Sequence, residues 1–215
     1  MKLIKMNKKT KFIITIALIL LSVSLVFYLS IKTEIWQKSV ESESEALKPY
    51  SLYISSGRYY LQSKDYEKAK ESFDKAIGID PNQSPGWSGL GYALIGSGNL
   101  EKAEECLNKA LTLNPNDALA YGGLGQISLY KKGDIEKAKE YYLKVLKLEP
   151  NEWTYIALGR ISLQEGDLKE AQKYFDQASE LDPDNVQAYI ARGRALLEEG
   201  KQEEAEECFK KALEK

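Results

Sequence analysis

Apolar residues recur along this chain in two different ways, and the change between them divides it. From Phe12 to Ile31 they dominate an uncharged run, FIITIALILLSVSLVFYLSI. From Tyr50 onward they return at three- and four-residue spacings among polar residues, the rhythm of helices with one buried face. The best-marked stretch is Ser84 to Asn116, SPGWSGLGYALIGSGNLEKAEECLNKALTLNPN. Trp87, Leu90 and Gly91 open it, Ala103, Leu107 and Ala110 continue it, and Pro115 closes it. The same offsets return once before this stretch and three times after it, so the chain from Tyr50 to Lys215 is built of repeats.

The first copy carries Tyr53, Gly57, Ala69, Phe73, Ala76 and Pro81. The third has Tyr121, Leu124, Gly125, Ala138, Tyr142 and Pro150, and the fourth Tyr155, Leu158, Gly159, Ala171, Phe175, Ala178 and Pro183. The fifth has Tyr189, Gly193, Ala205, Phe209 and Ala212. Each copy predicts a helical hairpin. Small residues such as Gly91 and Ala103 let two helices cross closely, Trp87 and Leu107 fill the space around them, and Pro115 ends the second helix by removing a donor. Gly98, Gly133, Gly166 and Gly200 stand where a first helix ends in a left-handed residue, and Asn99, Asp134 and Asp167 follow as N-caps of the second.

The pattern of aromatic, Leu-Gly, Ala, aromatic, Ala and Pro over a period of about 34 residues resembles the tetratricopeptide repeat. The expected fold is all-α, a right-handed solenoid of five hairpins at about 50–83, 84–117, 118–152, 153–185 and 186–215, preceded by one transmembrane helix. Copy three holds one extra residue between Gly125 and Gly133, and copy four one fewer between Pro150 and Tyr155.

The segment before the repeats points to a membrane. Lys2, Lys5, Lys8, Lys9 and Lys11 lie in a basic tail, residues 1–11, ahead of the apolar run at 12–31. Twenty residues at about 1.5 Å each span roughly 30 Å, the thickness of a bilayer core. A cleaved signal peptide is the competing reading, but its apolar part is usually about 7 to 15 residues and ends at a small-residue site. No such A-x-A site and no lipobox cysteine follows. The lysines place the N-terminus in the cytoplasm and the repeats outside it. Residues 32–49, KTEIWQKSVESESEALKP, read as a linker or stalk; alternatively Trp36, Val40 and Leu47 form one face of a short helix covering the first repeat.

Composition narrows the chemistry. Histidine is absent, which removes the commonest general base and metal ligand. Cys106 and Cys208 lie three repeats apart. With neighbouring helices about 8 to 10 Å apart, that is far beyond the roughly 7 Å limit for a disulfide, so both should be free thiols. Removing the five N-terminal lysines from 30 basic and 32 acidic residues leaves 25 against 32, a net charge of −7 over residues 32–215. An acidic solenoid is a poor binder of nucleic acid. The clusters LEKAEEC and KQEEAEEC then read as solvated outer faces.

Other motifs dissolve on inspection. Gly89-Leu90-Gly91 and Gly122-Gly123-Leu124-Gly125 follow no strand and precede no Gly-Lys-Ser, so they read as helix-packing glycines rather than phosphate loops. Asp80-x-Asn82-x-Ser84 begins like a calcium loop but has Gly91 where a bidentate Glu is needed. Asn82-Gln83-Ser84 is a glycosylation sequon followed by Pro85. No metal, cofactor or catalytic group is expected, and no stretch singles out a Ser-Lys dyad for a hydrolase.

Arginine is the informative residue. Against 26 lysines there are four arginines, Arg58, Arg160, Arg192 and Arg194, all on first helices. Arg58, Arg160 and Arg194 each follow a packing glycine, and Tyr92 and Gln126 take that offset in copies two and three. The resemblance implies that first helices line a concave groove for peptides, which makes these five residues the candidate groove. Arginine also simply suits helix surfaces, and the residues alone do not choose between the two. The carboxylate clamp that some family members use is absent. Its offsets hold Ile54, Arg58, Gly89, Leu119 and Gly123, and a start one or two copies later brings in Ser88, Tyr92, Gly122, Gln126 and Ala157 without restoring it.

The expected function is that of a membrane-anchored scaffold, not an enzyme. It would bind a protein or an acidic peptide, and the resemblance implies a role in the assembly or escort of envelope or membrane proteins. The alternative is an accessory or regulatory subunit that positions a catalytic partner.

Overall fold

Each repeat is held together by one large side chain set against glycine. The computed structural model describes residues 31–32 and 49–215, without the side chains of residues 131 and 132. The basic tail, nearly all of the apolar run and most of the linker, with Trp36, Val40 and Leu47, lie outside the described residues. Among the described residues no helix is long and apolar enough to cross a membrane.

Residues Tyr50–Lys215 form one compact unit. It is all helical among the described residues, an array of paired antiparallel elements without strands. The first helix of each pair is α1 (49–62), α3 (Ser84–Gly96), α5 (Ala118–Ile127), α7 (Glu152–Glu165) and α9 (Val186–Glu198). The second is α2 (Tyr66–Ile79), α4 (Leu100–Leu113), α6 (Ile135–Leu148), α8 (Leu168–Leu181) and α10 (Gln202–Leu213).

The tight crossings follow from the absence of a Cβ. A methyl group at Gly57 would lie 2.6 Å from the ring of Phe73, and one at Gly91 2.6 Å from Leu107. The same holds for Gly159 against Phe175 at 2.4 Å and Gly193 against Phe209 at 2.6 Å, with Gly125 against Tyr142 looser at 3.1 Å. The other side of the large residue meets the next repeat, because Gly89 crowds Phe73 at 2.3 Å and Gly123 crowds Leu107 at 2.8 Å. Ala157 and Ala191 take that second small position in the later copies. Phe73, Leu107 and Phe175 are fully buried as a result, and truncating such a ring to Ala costs about 3 to 5 kcal/mol.

Caps complete the hairpins. Gly98, Gly166 and Gly200 have φ of 81°, 81° and 83°, and Gly133 has 59°, the left-handed conformation their positions predict. In the first copy Lys64 adopts it at φ 59°, at the cost that a side chain carries there. Asp134 and Asp167 accept hydrogen bonds from the backbone N–H groups of Lys137 and Glu170, as N-caps should. Asn99 precedes α4 but makes no side-chain cap bond, so its position is that of a cap without the stabilising contact.

Two departures from the period are absorbed locally. The extra residue of copy three becomes a π-helical turn, Ser128–Lys132, at the end of α5, and the Gly133 N–H closes it on the Ser128 carbonyl. Insertion of one residue into a helix commonly takes this form. The residue missing from copy four shortens the connection into α7, which runs only through Glu149, Pro150 and Asn151. The Asn151 side chain caps α7 by accepting from the Thr154 N–H at 2.9 Å.

Cys106 is half-buried and Cys208 buried, and both are free thiols. Burial pushes the Cys106 thiol up to about 11, with nearby Asp74 and Glu105 adding to the shift.

Tyr142 is the ladder residue of repeat three, and burial raises its phenol above the ordinary range, assisted by the neighbouring Tyr130. An acid whose folded pKa is raised gives stability that is complete below its unfolded value, about 10 for tyrosine, and is lost as pH climbs towards the folded value. Tyr142→Phe removes this liability at a position where other copies hold Phe73 and Phe175. Urea midpoints measured from pH 8 to 11 should fall less in Tyr142→Phe than in the parent, with the two proteins within about 1.5 kcal/mol at pH 8. An identical alkaline decline in both would contradict the burial of the hydroxyl.

Candidate functional site

On the first helices, the offset just after the packing glycine holds Arg58, Tyr92, Gln126, Arg160 and Arg194, and only some of these come together. Two adjoining cavities open beside α5 and α7. The larger, about 510 Å³, is lined by Tyr92, Leu119, Gly122, Gln126, Tyr142 and Trp153 among others. The smaller, about 310 Å³, is lined by Gln126, Leu129, Tyr130, Trp153, Ile156 and Arg160 among others. They share Gln126, Tyr142, Trp153 and Ala157, so they form one groove. Arg58 and Arg194 are exposed and line neither. Of the five candidates, the groove therefore unites Tyr92, Gln126 and Arg160.

The floor of the larger cavity is the place of a missing side chain. Three residues before the packing glycine, the copies hold Ile54, Ser88, Gly122, Ile156 and Ile190. Ile54, Ser88 and Ile156 are buried there, whereas Gly122 has no side chain and the Tyr92 hydroxyl closes on it beside the cavity. A Cβ at Gly122 would meet only the Tyr92 hydroxyl, at 2.7 Å, and Val145 at 4.0 Å. Both glycines pack, Gly123 against Leu107 and Gly122 against the Tyr92 hydroxyl, and Gly122 also lines the cavity.

Both irregularities border the groove. Glu149 and Asn151 of the shortened connection line the larger cavity, and Leu129 and Tyr130 of the π-helical turn line the smaller. Three large apolar residues stand unusually open at the rim: Leu119 is 41% exposed, Trp153 61% and Tyr130 73%. Sequence reasoning passed over Trp153 and Tyr130 and met Leu119 only as an offset of the absent carboxylate clamp. The signal available to it was the coincidence of a glycine doublet with one insertion and one deletion in neighbouring copies.

The electrostatics of the groove are sparse. Burial, then the adjacent Tyr142 and Asp117, hold the Tyr92 phenol well above its usual range. Tyr92 and Tyr142 therefore present neutral hydroxyls at physiological pH. Arg192 is paired with Asp176 at 2.9 Å, while no carboxylate partner is found for Arg58, Arg160 or Arg194 among the described residues. Arg160 is the cation of the smaller cavity and Glu149 the anion of the larger. Among the described residues no group of Cys, Asp and Glu is arranged to hold a metal. Such a groove can bind through apolar contact, neutral hydrogen bonds and one guanidinium.

Comparison with known proteins agrees with this architecture. The sequence pattern of the Cilia and flagella-associated protein 70 C-terminal domain, a tetratricopeptide domain, matches residues 32–215. No curated protein gives a significant match. Among solved structures, PilF of Pseudomonas aeruginosa superposes with a TM-score of 0.69 at 24% identity, over 79% of this chain and 78% of that one. PilW, described as a type IV pilus biogenesis factor, gives 0.66 at 20% identity over 76% of each chain. YrrB, described as a tetratricopeptide protein with an unusual peptide-binding site, gives 0.53 at 24% identity, over 75% of this chain and 84% of that one. At these identities the structures establish a shared fold. On the extent of the sequence match and the repeat architecture together, the chain belongs to the tetratricopeptide family of the Cilia and flagella-associated protein 70 C-terminal domain.

Proposed function

We propose that this protein is a membrane-anchored scaffold that holds an extended segment of a partner protein in the groove beside α5 and α7. The observation that carries the reading is the groove itself: two contiguous cavities of about 510 and 310 Å³ with exposed apolar residues at the rim and, at one end, an arginine that has no ion-pair partner among the described residues. Exposed aromatics clustered at a concavity mark interaction sites rather than ordinary surface. YrrB, which shares the fold, has a peptide-binding site by its description. PilW is a pilus biogenesis factor, which favours a role in assembling or escorting envelope or membrane proteins.

The anchor in this reading is the apolar run 12–31, followed by the right-handed solenoid. The lysine cluster before it puts the N-terminus in the cytoplasm and the repeats outside. No catalytic step is assigned in this reading to the chain, whose groove is described by neutral hydroxyls, the Glu149 carboxylate and the Arg160 guanidinium.

Topology has a direct test. Protease added to spheroplasts should digest the repeats and spare an N-terminal tag, whereas protection of the repeats would rule out the proposed orientation. Partner capture tests the groove. A photocrosslinking side chain in place of Gln126, which lines both cavities, should trap a specific protein in intact membranes, and one in place of the exposed Lys109 on α4 should not. Equal labelling patterns from the two positions would remove the groove as the binding surface.

A further inference from the structure

We propose that the groove selects a peptide segment with one bulky apolar side chain, seated over Gly122, and a carboxylate about two to four residues along, held by Arg160. This rests on the peptide-groove reading and specifies its ligand.

The apolar requirement comes from the larger cavity. At its floor Gly122 carries no side chain where other copies place one, only the Tyr92 hydroxyl closes on that point, and its walls are Leu119, Val145, Tyr142 and Trp153. The space of about 510 Å³ is ample for an aromatic or branched aliphatic side chain. Filling it would cover the rim residues Leu119 and Trp153, and apolar area removed from water contributes about 25 cal/mol per Å². Interfaces concentrate their affinity in such a buried anchor.

The carboxylate requirement comes from the asymmetry of charge. Glu149 lines only the larger cavity and Arg160 only the smaller, so an acidic residue is repelled at one end and attracted at the other. Arg160 carries no competing ion pair among the described residues, and its guanidinium can grip a carboxylate through two hydrogen bonds. Gly122 lies on α5 and Arg160 on α7, first helices of neighbouring repeats. Such helices lie about 10 Å apart, which about three residues of extended peptide at roughly 3.3 Å each can span. The π-helical turn that places Leu129 and Tyr130 beside this path belongs to the same device, since such turns gather at functional positions.

Full-length protein in detergent micelles, panned against a phage library of random dodecapeptides, tests the inference. Enriched sequences should pair Phe, Leu, Met or Trp with Asp or Glu at a constant spacing. A synthetic peptide of that type, followed by fluorescence anisotropy, should lose about 10-fold or more in affinity for Gly122→Ile. Ile is the residue other copies hold at this offset, and should the variant not melt like the parent, Trp153→Ala takes its place. Arg160→Glu should weaken the acidic peptide by about 10- to 150-fold, the range of a charge-assisted hydrogen bond, and a peptide with Lys in place of the acid should regain affinity for that variant.

Protection of Gln126→Cys from alkylation reports whether any peptide sits in the groove. Peptides that protect it yet lack the apolar-acidic pair, or ignore the charge exchange, overturn this inference and leave the peptide-groove reading standing. Absence of enriched peptides, or binders that leave Gln126→Cys reactive, overturns both.

Discussion

The structure depends on one repeated contact, a large side chain of a second helix set against the packing glycine of its own first helix and, where another repeat follows, against a small residue of the next. Phe73 sits between Gly57 and Gly89, and Leu107 between Gly91 and Gly123. The glycine on one side closes the hairpin, and the glycine or alanine on the other joins it to its neighbour. One ring therefore serves both the folding of a repeat and the stacking of repeats, which is why stability in such arrays is shared between intrinsic and interface terms. No disulfide and no histidine takes part.

A ladder built this way tolerates little inside the contact and much outside it. The extra residue of copy three is expelled into a π-helical turn beyond the clamp, and the missing residue of copy four comes out of the connection before it. Both adjustments fall on the same stretch of the array. Residues of both stretches line the groove together with Gly122. The proposed peptide site lies where the repeat departs from its own period.

The fold was legible because packing imposes a period. Each large side chain of a second helix, each packing glycine and each left-handed glycine occupies a fixed offset, and a sequence displays offsets directly. The groove was only partly legible. Tyr92, Gln126 and Arg160 could be found by sharing one offset, yet Arg58 and Arg194 share it and line no cavity. Cavities depend on what neighbouring copies lack, and neither Gly122 nor the position of Trp153 after a shortened connection announces an empty volume in one dimension. Asn99 shows the complementary limit, since its residue type and place suit a cap but its side chain makes no cap bond.

The central claim is that two adjacent glycines have opposite roles, Gly123 serving the ladder and Gly122 serving the groove. A Cβ at Gly123 would meet the buried Leu107 at 2.8 Å, and one at Gly122 the Tyr92 hydroxyl at 2.7 Å, on the wall of the cavity. Urea unfolding of Gly122→Ile and Gly123→Ile, measured side by side, separates them most directly. Gly123→Ile should lose about 1 to 3 kcal/mol or more by overpacking, while Gly122→Ile should lose less, because the adjoining cavity gives the displaced Tyr92 hydroxyl room to move. Equal losses in the two variants would contradict the division between ladder and groove.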